Sequence, residues 1–338
     1  MAFPPATRRA GAAGAPAALL VTALVVLAVT ACTAAPFTSE APDDGSQRTR
    51  LFGFADRRIT ESSGLAVSAL HDGVVYTHND SGGGPVLYAI GPDGRTRAAL
   101  TLRGAKARDW EALAPGGDGV LWVGDIGDNG NGWWQEIRVY RVREPRTLRD
   151  ADVEWTRYRL RYEDGGRDAE ALLADPRTGR LYVVSKQESG AGIYAAPAEL
   201  RRNGENVLRR VADAPSEVTD GAFLPDGERV VLRGYFSATV YDRRWRELGT
   251  LPVPIQPQGE SLAAARDGRA VLVGSEGAGA DVWQLPLAQA TRGGPAPAAD
   301  AMPAGTPAGT RGHTVAVLGV LAVVLAVTLV LPLLKRKR

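Results

Sequence analysis

The chain has 338 residues with 40 Lys and Arg against 38 Asp and Glu, a formal net charge of +2. The last four residues, Lys335-Arg336-Lys337-Arg338, are all basic, so the rest is neutral to slightly acidic. That argues against nucleic acid as a partner, because phosphate-backbone binding needs a basic face. A single cysteine, Cys32, excludes a disulfide framework, and the body must rely on an apolar core.

In chain order, Arg8-Arg9 precede an apolar run from Ala17 to Ala31, the charged and hydrophobic regions of an export signal over residues 1–31. The run is too short for an ordinary membrane span. It stops at Val29-Thr30-Ala31-Cys32, which resembles a bacterial lipobox and would make Cys32 the lipidated first residue. The other reading is a plain cleavage site beside a spare small residue. Residues 32–48 have too little apolar content to pack and read as a flexible tether.

Residues 49–290 carry five copies of one pattern: Glu61-Ser-Ser63-Gly-Leu-Ala, Asp109-Trp-Glu111-Ala-Leu-Ala, Asp168-Ala-Glu170-Ala-Leu-Leu, Val218-Thr-Asp220-Gly-Ala-Phe and Gln258-Gly-Glu260-Ser-Leu-Ala. From the third position of each copy to the next, the steps are 48, 59, 50 and 40 residues, the period of a four-stranded propeller blade. Each unit reads as short strands between turns. The second, for instance, gives Val120-Leu-Trp-Val, then Ile137-Arg-Val-Tyr-Arg-Val and Glu154 to Tyr162, both alternating. The last unit offers three strands, and Arg50-Leu-Phe-Gly-Phe supplies a fourth from the N-terminal side. The expected fold is an all-β, five-bladed β-propeller closed by that N-terminal strand. Six blades also fit, because the second unit is long and Ala196 to Asp213 has room for irregular strands.

Beyond the body, residues 291–313 form a Pro/Ala/Gly-rich tether. Residues 314–334 are expected to form a transmembrane helix, since Val315 to Leu334 is twenty residues without a charge. The basic tail 335–338 stays cytoplasmic. The propeller is therefore expected on the extracytoplasmic face of the plasma membrane, with the membrane itself as one partner.

In an up-and-down blade the start of the innermost strand and the end of its neighbour share a face, because the two run antiparallel. Asp109/Glu111 and Asp168/Glu170 are spaced i, i+2 and point to one side of their strands. With Glu61, Asp220 and Glu260 they form a ring of carboxylates. The ends of the second strands add Asn79-Asp80, Asp125, Asp128-Asn129, Lys186, Arg233 and Glu276. Like charges so close need compensation. Ca²⁺, which takes six to eight oxygen ligands, is one compensator, with Asp80, Asp125, Asp128, Asn129, Glu61, Asp220 and Glu260 as its expected donors. Hydrogen bonding of each carboxylate to a neighbouring blade's amides is the other. Lys186 and Arg233 are read as equivalent positions, able to receive an anion together or to pair with the carboxylates. Asn79 and Glu276 join them as candidate ligand contacts. Trp133-Trp134 suit sugar stacking or a protein contact if exposed, and otherwise a wedge between blades. No Gly-x-Ser-x-Gly elbow, Cys/His metal spacing or Gly-rich loop opening a helix occurs.

On the motifs Glu-Ser-Ser-Gly-Leu, Asn-Asp-Ser-Gly, Asp-Trp-Glu, Gly124-Asp-Ile-Gly-Asp-Asn129 and Asp-Ala-Glu-Ala-Leu, the body resembles exported actinobacterial propeller proteins described as WD-repeat-like, a lipoprotein or membrane-protein group similar to the phytase-like or esterase-like propellers. The resemblance implies a propeller with calcium-dependent hydrolysis of phosphoesters or other esters. The chain lacks the dense cationic lining that a highly phosphorylated substrate needs. Two functions are expected from different classes. The first is a membrane-anchored propeller that binds an extracellular ligand or protein partner through an acidic, Ca²⁺-loaded face. The second is a Ca²⁺-dependent hydrolase in which Asp109, Glu111, Asp168 and Glu170 hold metal or activate water.

Overall fold

The computed structural model describes residues 48–80, 82–129 and 132–288. The expected signal, Cys32, both tethers, the C-terminal span and residues 289–290 lie outside the described residues. Among the described residues there is no α-helix, and none long and apolar enough to cross a membrane.

Four-stranded antiparallel meanders follow one another along the chain. The first is β2 (Ser62–Val67), β3 (Val75–Asn79), β4 (Val86–Ile90) and β5 (Thr96–Thr101). Next come β6 (Trp110–Gly116), β7 (Val120–Asp125), β8 (Ile137–Arg143) and β10 (Trp155–Tyr162), interrupted by the short β9 (Ala151–Asp152). The third holds β11 (Ala169–Ala174), β12 (Leu181–Ser185), β13 (Gly192–Ala195) and β14 (Asn206–Asp213). The fourth holds β15 (Asp220–Phe223), β16 (Arg229–Arg233), β17 (Ser237–Asp242) and β18 (Glu247–Pro252). The last has β19 (Leu262–Ala264), β20 (Ala270–Val273) and β21 (Asp281–Pro286), and its fourth strand is β1 (Thr49–Gly53), which pairs antiparallel with β21. The strands that open the meanders, β2, β6, β11, β15 and β19, lie side by side in chain order, and β19 returns to β2. This closed circuit of radiating sheets is the β-propeller architecture.

Burial explains why the opening strands read Ala-Leu-Ala. β2, β6, β11, β15 and β19 are covered on both sides by neighbouring sheets and are buried almost throughout, so they need a continuous run of small and apolar residues. The outermost β10 and β14 keep a wet side and alternate. Gly64 on β2 marks the crowding, because a Cβ there would fall 2.7 Å from the Leu113 amide nitrogen on β6. A separate apolar cluster fills each wedge between adjacent meanders. Tyr76, Leu87 and Leu100 meet Trp110, Leu121 and Tyr140 in one wedge, while Phe52, Phe54 and Leu65 meet Ala263, Leu272 and Val282 in the wedge that joins last to first.

The length of the second unit has a plain cause. Between β8 and β10 the chain crosses to the first meander and lays β9 parallel to β5. In the stretch from Ala196 to Asp213 lies one regular strand, β14, which pairs antiparallel with β13 and parallel with β10.

Candidate functional site

The start of each opening strand and the end of the strand after it meet on one face. A clasp recurs there. Asn79 Oδ1, at the end of β3, accepts the amides of Thr60 and Glu61 at 3.0 and 3.1 Å. Asp125 Oδ1, at the end of β7, accepts those of Arg108 and Asp109 at 3.0 and 2.9 Å. Ser275 takes the same part after β20, accepting the Gln258 amide at 3.2 Å. Each ties down the loop that enters an opening strand by pairing its backbone amides.

One residue further on, the backbone turns its side chain to the centre. The amides of Asp80, Lys186 and Glu276 donate to the carbonyls of Glu61, Asp168 and Gln258 at 3.0, 3.1 and 2.9 Å. Their side chains join Asp109, Glu111, Asp168, Glu170 and Glu260, all buried, and the half-buried Glu61. Carboxylate oxygens of Asp80, Asp109 and Glu111 lie within 4.8 Å of one another. The loop Ile126-Gly127-Asp128 passes directly over them. A Cβ at residue 127 would fall 2.6 Å from Asp109 Oδ2 and closer still to Glu111 Oε1. Gly127 is not in the left-handed region, so it is space that excludes a side chain there.

The crowd of carboxylates holds protons. Burial, then the charges of Asp109, Glu276 and Glu61, pushes Asp80 up to about 8. Its Oδ1 is buried and accepts no hydrogen bond. Burial, then the charges of Glu170, Asp80, Asp109 and Asp168, raises Glu111 well above the usual carboxylate range. Glu170 is raised in the same way by burial and by Glu260, against the pull of Lys186. Glu170 Oε1 is held by Lys186 Nζ, whereas its Oε2 is buried without a partner. Burial draws the Lys186 ammonium down, but Glu170, Tyr235 and Glu260 outweigh it, so the net shift is upward and the lysine stays charged.

Several expected site residues lie elsewhere. Arg233 does not join Lys186 as an anion receptor: it is fully buried and donates to the carbonyls of Ser261 and Gly274 at 2.6 and 2.7 Å and to Gln256 Oε1 at 2.6 Å. Asp220 does not face the centre with Glu111 and Glu170. It is buried between sheets, accepting from the Gly221 amide at 2.7 Å and from the Leu262 amide of the next meander at 2.6 Å. Asp125, also fully buried, is committed to its clasp and to Arg138 at 3.6 Å. Asp128 Oδ2 accepts the amides of Gly132 and Trp134 at 3.1 and 2.8 Å, and its own amide donates to Asp168 Oδ1 at 2.7 Å. Asn129 is exposed beyond it. Asn79 is a clasp residue, with its Nδ2 donating to the Arg58 carbonyl at 2.7 Å. The two tryptophans part company: Trp133 is exposed, while the Trp134 ring lies under the Arg108 guanidinium, 3.3 Å from its centroid. His78 is buried edge-on against Trp110, and burial lowers it to about 4.

Three contributors were not singled out from the sequence: Tyr235, whose ring lies 5.1 Å from Lys186 Nζ; Ser63, which donates to Glu276 Oε1 at 3.1 Å; and Gly127. Ser63 sits within the repeat and Gly127 within the Gly124–Asn129 motif, so the signal was position in a motif, without side-chain chemistry to mark it.

A propeller is the class that the sheet circuit defines. No protein-family pattern matches the chain, and no curated protein matches it. Similar solved structures include a gluconolactonase from Xanthomonas campestris, with 18% identity, a TM-score of 0.41, and coverage of 71% of this chain and 89% of that one. A nidogen/laminin complex is similar at 16% identity and a TM-score of 0.42, over 64% of this chain and 73% of that one.

Proposed function

We propose that the meanders are five blades and that the chain is a membrane-anchored, extracytoplasmic propeller that binds a ligand or protein partner through an acidic face loaded with Ca²⁺. Asp80, Asp109 and Glu111 are the residues that hold the cation. The observation that carries this reading is their convergence, with oxygens within 4.8 Å of one another and an unpartnered, buried Asp80 Oδ1. An all-oxygen donor set selects a hard cation, and the nearby His78 is turned into the core. The expected lipid on Cys32 and the span at 314–334 belong to the same proposal and place the face outside the plasma membrane.

The charge of the face also selects the ligand. Lys186 is spent on Glu170, and Arg233 is buried elsewhere, so a phosphorylated ligand meets uncompensated carboxylates. A second reading, Ca²⁺-dependent hydrolysis of an uncharged ester, draws on one observation: Glu170 offers a buried, unbonded Oε2 beside Glu111. In that reading Glu170→Gln abolishes turnover while leaving the melting temperature nearly unchanged.

The test is a thermal melt of the full chain in detergent, with Ca²⁺ and with chelator. At a hundredfold excess over Kd, a ligand specific for the folded state stabilises by about 2.7 kcal/mol. For a body of this size that is a rise of about 5–10 °C. Gly127→Ala, which crowds Asp109 and Glu111 without removing a charge, should lose most of the rise. No calcium-dependent shift in the unaltered protein sinks the cation site.

A further inference from the structure

Large apolar side chains are exposed on the carboxylate face in an uneven way. Ile255 is 100% exposed and Phe236 84%, both on loops that open onto that face. Ile255 is not a loose loop tip. The next residue, Gln256, accepts from Arg233 at 2.6 Å and donates to the Asp281 carbonyl at 3.2 Å, and Gln258 is held by Ser275 at 3.2 Å. These bonds hold Ile255 at the edge of a groove, where it extends an apolar wall.

The groove, of about 350 Å³, runs between the Ile255–Pro257 loop and the loop from Glu276 to Ala280. Its walls are Ile255, Pro257, Ala280 and Trp283. Asp281, at the outer end, is already paired with Arg50 at 2.7 Å. Glu276, at the inner end, accepts the Ser63 hydroxyl on Oε1 at 3.1 Å and shares that end with the like charges of Glu260 and Glu61. The groove is thus apolar along its length and negative where it meets the centre.

We propose that this groove docks an extended polypeptide segment of a protein partner, placing a lysine or arginine head against Glu276 and Glu61 and apolar side chains on Ile255 and Trp283. Charge complementarity selects this occupant. A basic head offsets the repulsion between Glu276 and Glu61, neither of which holds the proposed cation, and the stem that carries it suits apolar walls. Anionic chains and acidic lipid surfaces are rejected by the same groups. The inference rests on the reading of the carboxylate face as a binding face, but not on the calcium ion.

The experiment uses the full chain in detergent and two fluorescent octapeptide libraries with mixed apolar residues around a fixed fourth position. That position is lysine or arginine in one, and norleucine or glutamate in the other. Anisotropy should show saturable binding of the basic library, at least tenfold tighter than the other. Ile255→Asp and Glu276→Gln should each weaken it at least threefold. Ile255→Asp should leave the calcium-dependent melting shift unchanged, so loss of the peptide site and loss of the cation site are separate results. Absence of saturable binding, equal binding of the two libraries, or binding indifferent to both substitutions overturns the proposal. So does binding of a neutral oligosaccharide that Ile255→Asp abolishes while the peptides fail.

Discussion

Burial and the charges of Asp109, Glu276 and Glu61 raise the carboxyl of Asp80, one oxygen of which lies within 4.8 Å of oxygens of Asp109 and Glu111. An ordinary aspartate titrates at 3.8, whereas here the group is pushed up to about 8. The folded protein therefore holds a proton that the unfolded chain releases, and stability falls as pH rises between those two values. The buried Glu111 and Glu170, both raised, add to the same slope. A divalent cation reverses it, because it needs the ionised carboxylates and displaces their protons. Without Ca²⁺ the melting temperature should fall from pH 5 to pH 8.5, and the shift produced by Ca²⁺ should grow over that range. Asp80→Asn should flatten the chelated profile and remove most of the calcium shift. A chelated protein that melts higher at pH 8.5 than at pH 5 contradicts this account of the site.

Elements, more than residues, decide which acidic groups reach the centre. Asn79, Asp125 and Arg233 end β3, β7 and β16, and their side chains point into the loops and wedges. Asp80, Lys186 and Glu276 come one position later and point to the centre. Arg233 is thus one step out of register with Lys186, and a one-residue step along a strand reverses the side. Asp220 shows the same offset. It pairs with Arg233, as Trp110 pairs with Asp125 and Ala169 with Ser185, so it matches the wedge positions and not Glu111 or Glu170. The repeat was legible in the sequence and brought the right strands to one face. Bulges between Trp110 and Ala112 and between Ala169 and Ala171 moved the register within it, and nothing in the residue types announces a bulge. The clasps carry their own expectation. Asp125→Ala orphans one buried and one partly buried amide, each costing about 1–3 kcal/mol. The melting temperature should drop by about 5–20 °C in chelator at the usual 2–4 °C per kcal/mol. Calcium should still raise it, since the proposed cation site is Asp80, Asp109 and Glu111; an Asp125→Ala protein that melts normally but ignores calcium reverses that assignment.

On the scale of the whole molecule the circuit must close, and the strand that closes it comes from the opposite end of the sequence. The spacing of the repeats exposed the meanders, and the missing fourth strand of the last unit pointed to Arg50-Leu-Phe-Gly-Phe, where β1 lies. The β9 crossing was not legible, because two residues have no periodicity to read. β1 enters and β21 leaves on the face away from the carboxylates. Closure does more than hide an edge. Phe52 and Phe54 are buried in the wedge between the last and first meanders, in edge-to-face contact at 5.8 Å. The exposed Arg50–Asp281 ion pair adds little by comparison. Phe52→Ala should cost about 3–5 kcal/mol, or roughly 6–20 °C of melting temperature. Deleting residues 48–55 should go further, since β21 then presents an unpaired apolar edge to solvent. The deletion should scatter light in proportion to concentration, whereas the Phe52→Ala protein, with its edge still paired, keeps the oligomeric state of the intact chain and merely melts earlier. A deletion variant that associates no more than the intact chain and melts like it removes β1 from the circuit, and with it the argument that the two ends of the body are held together.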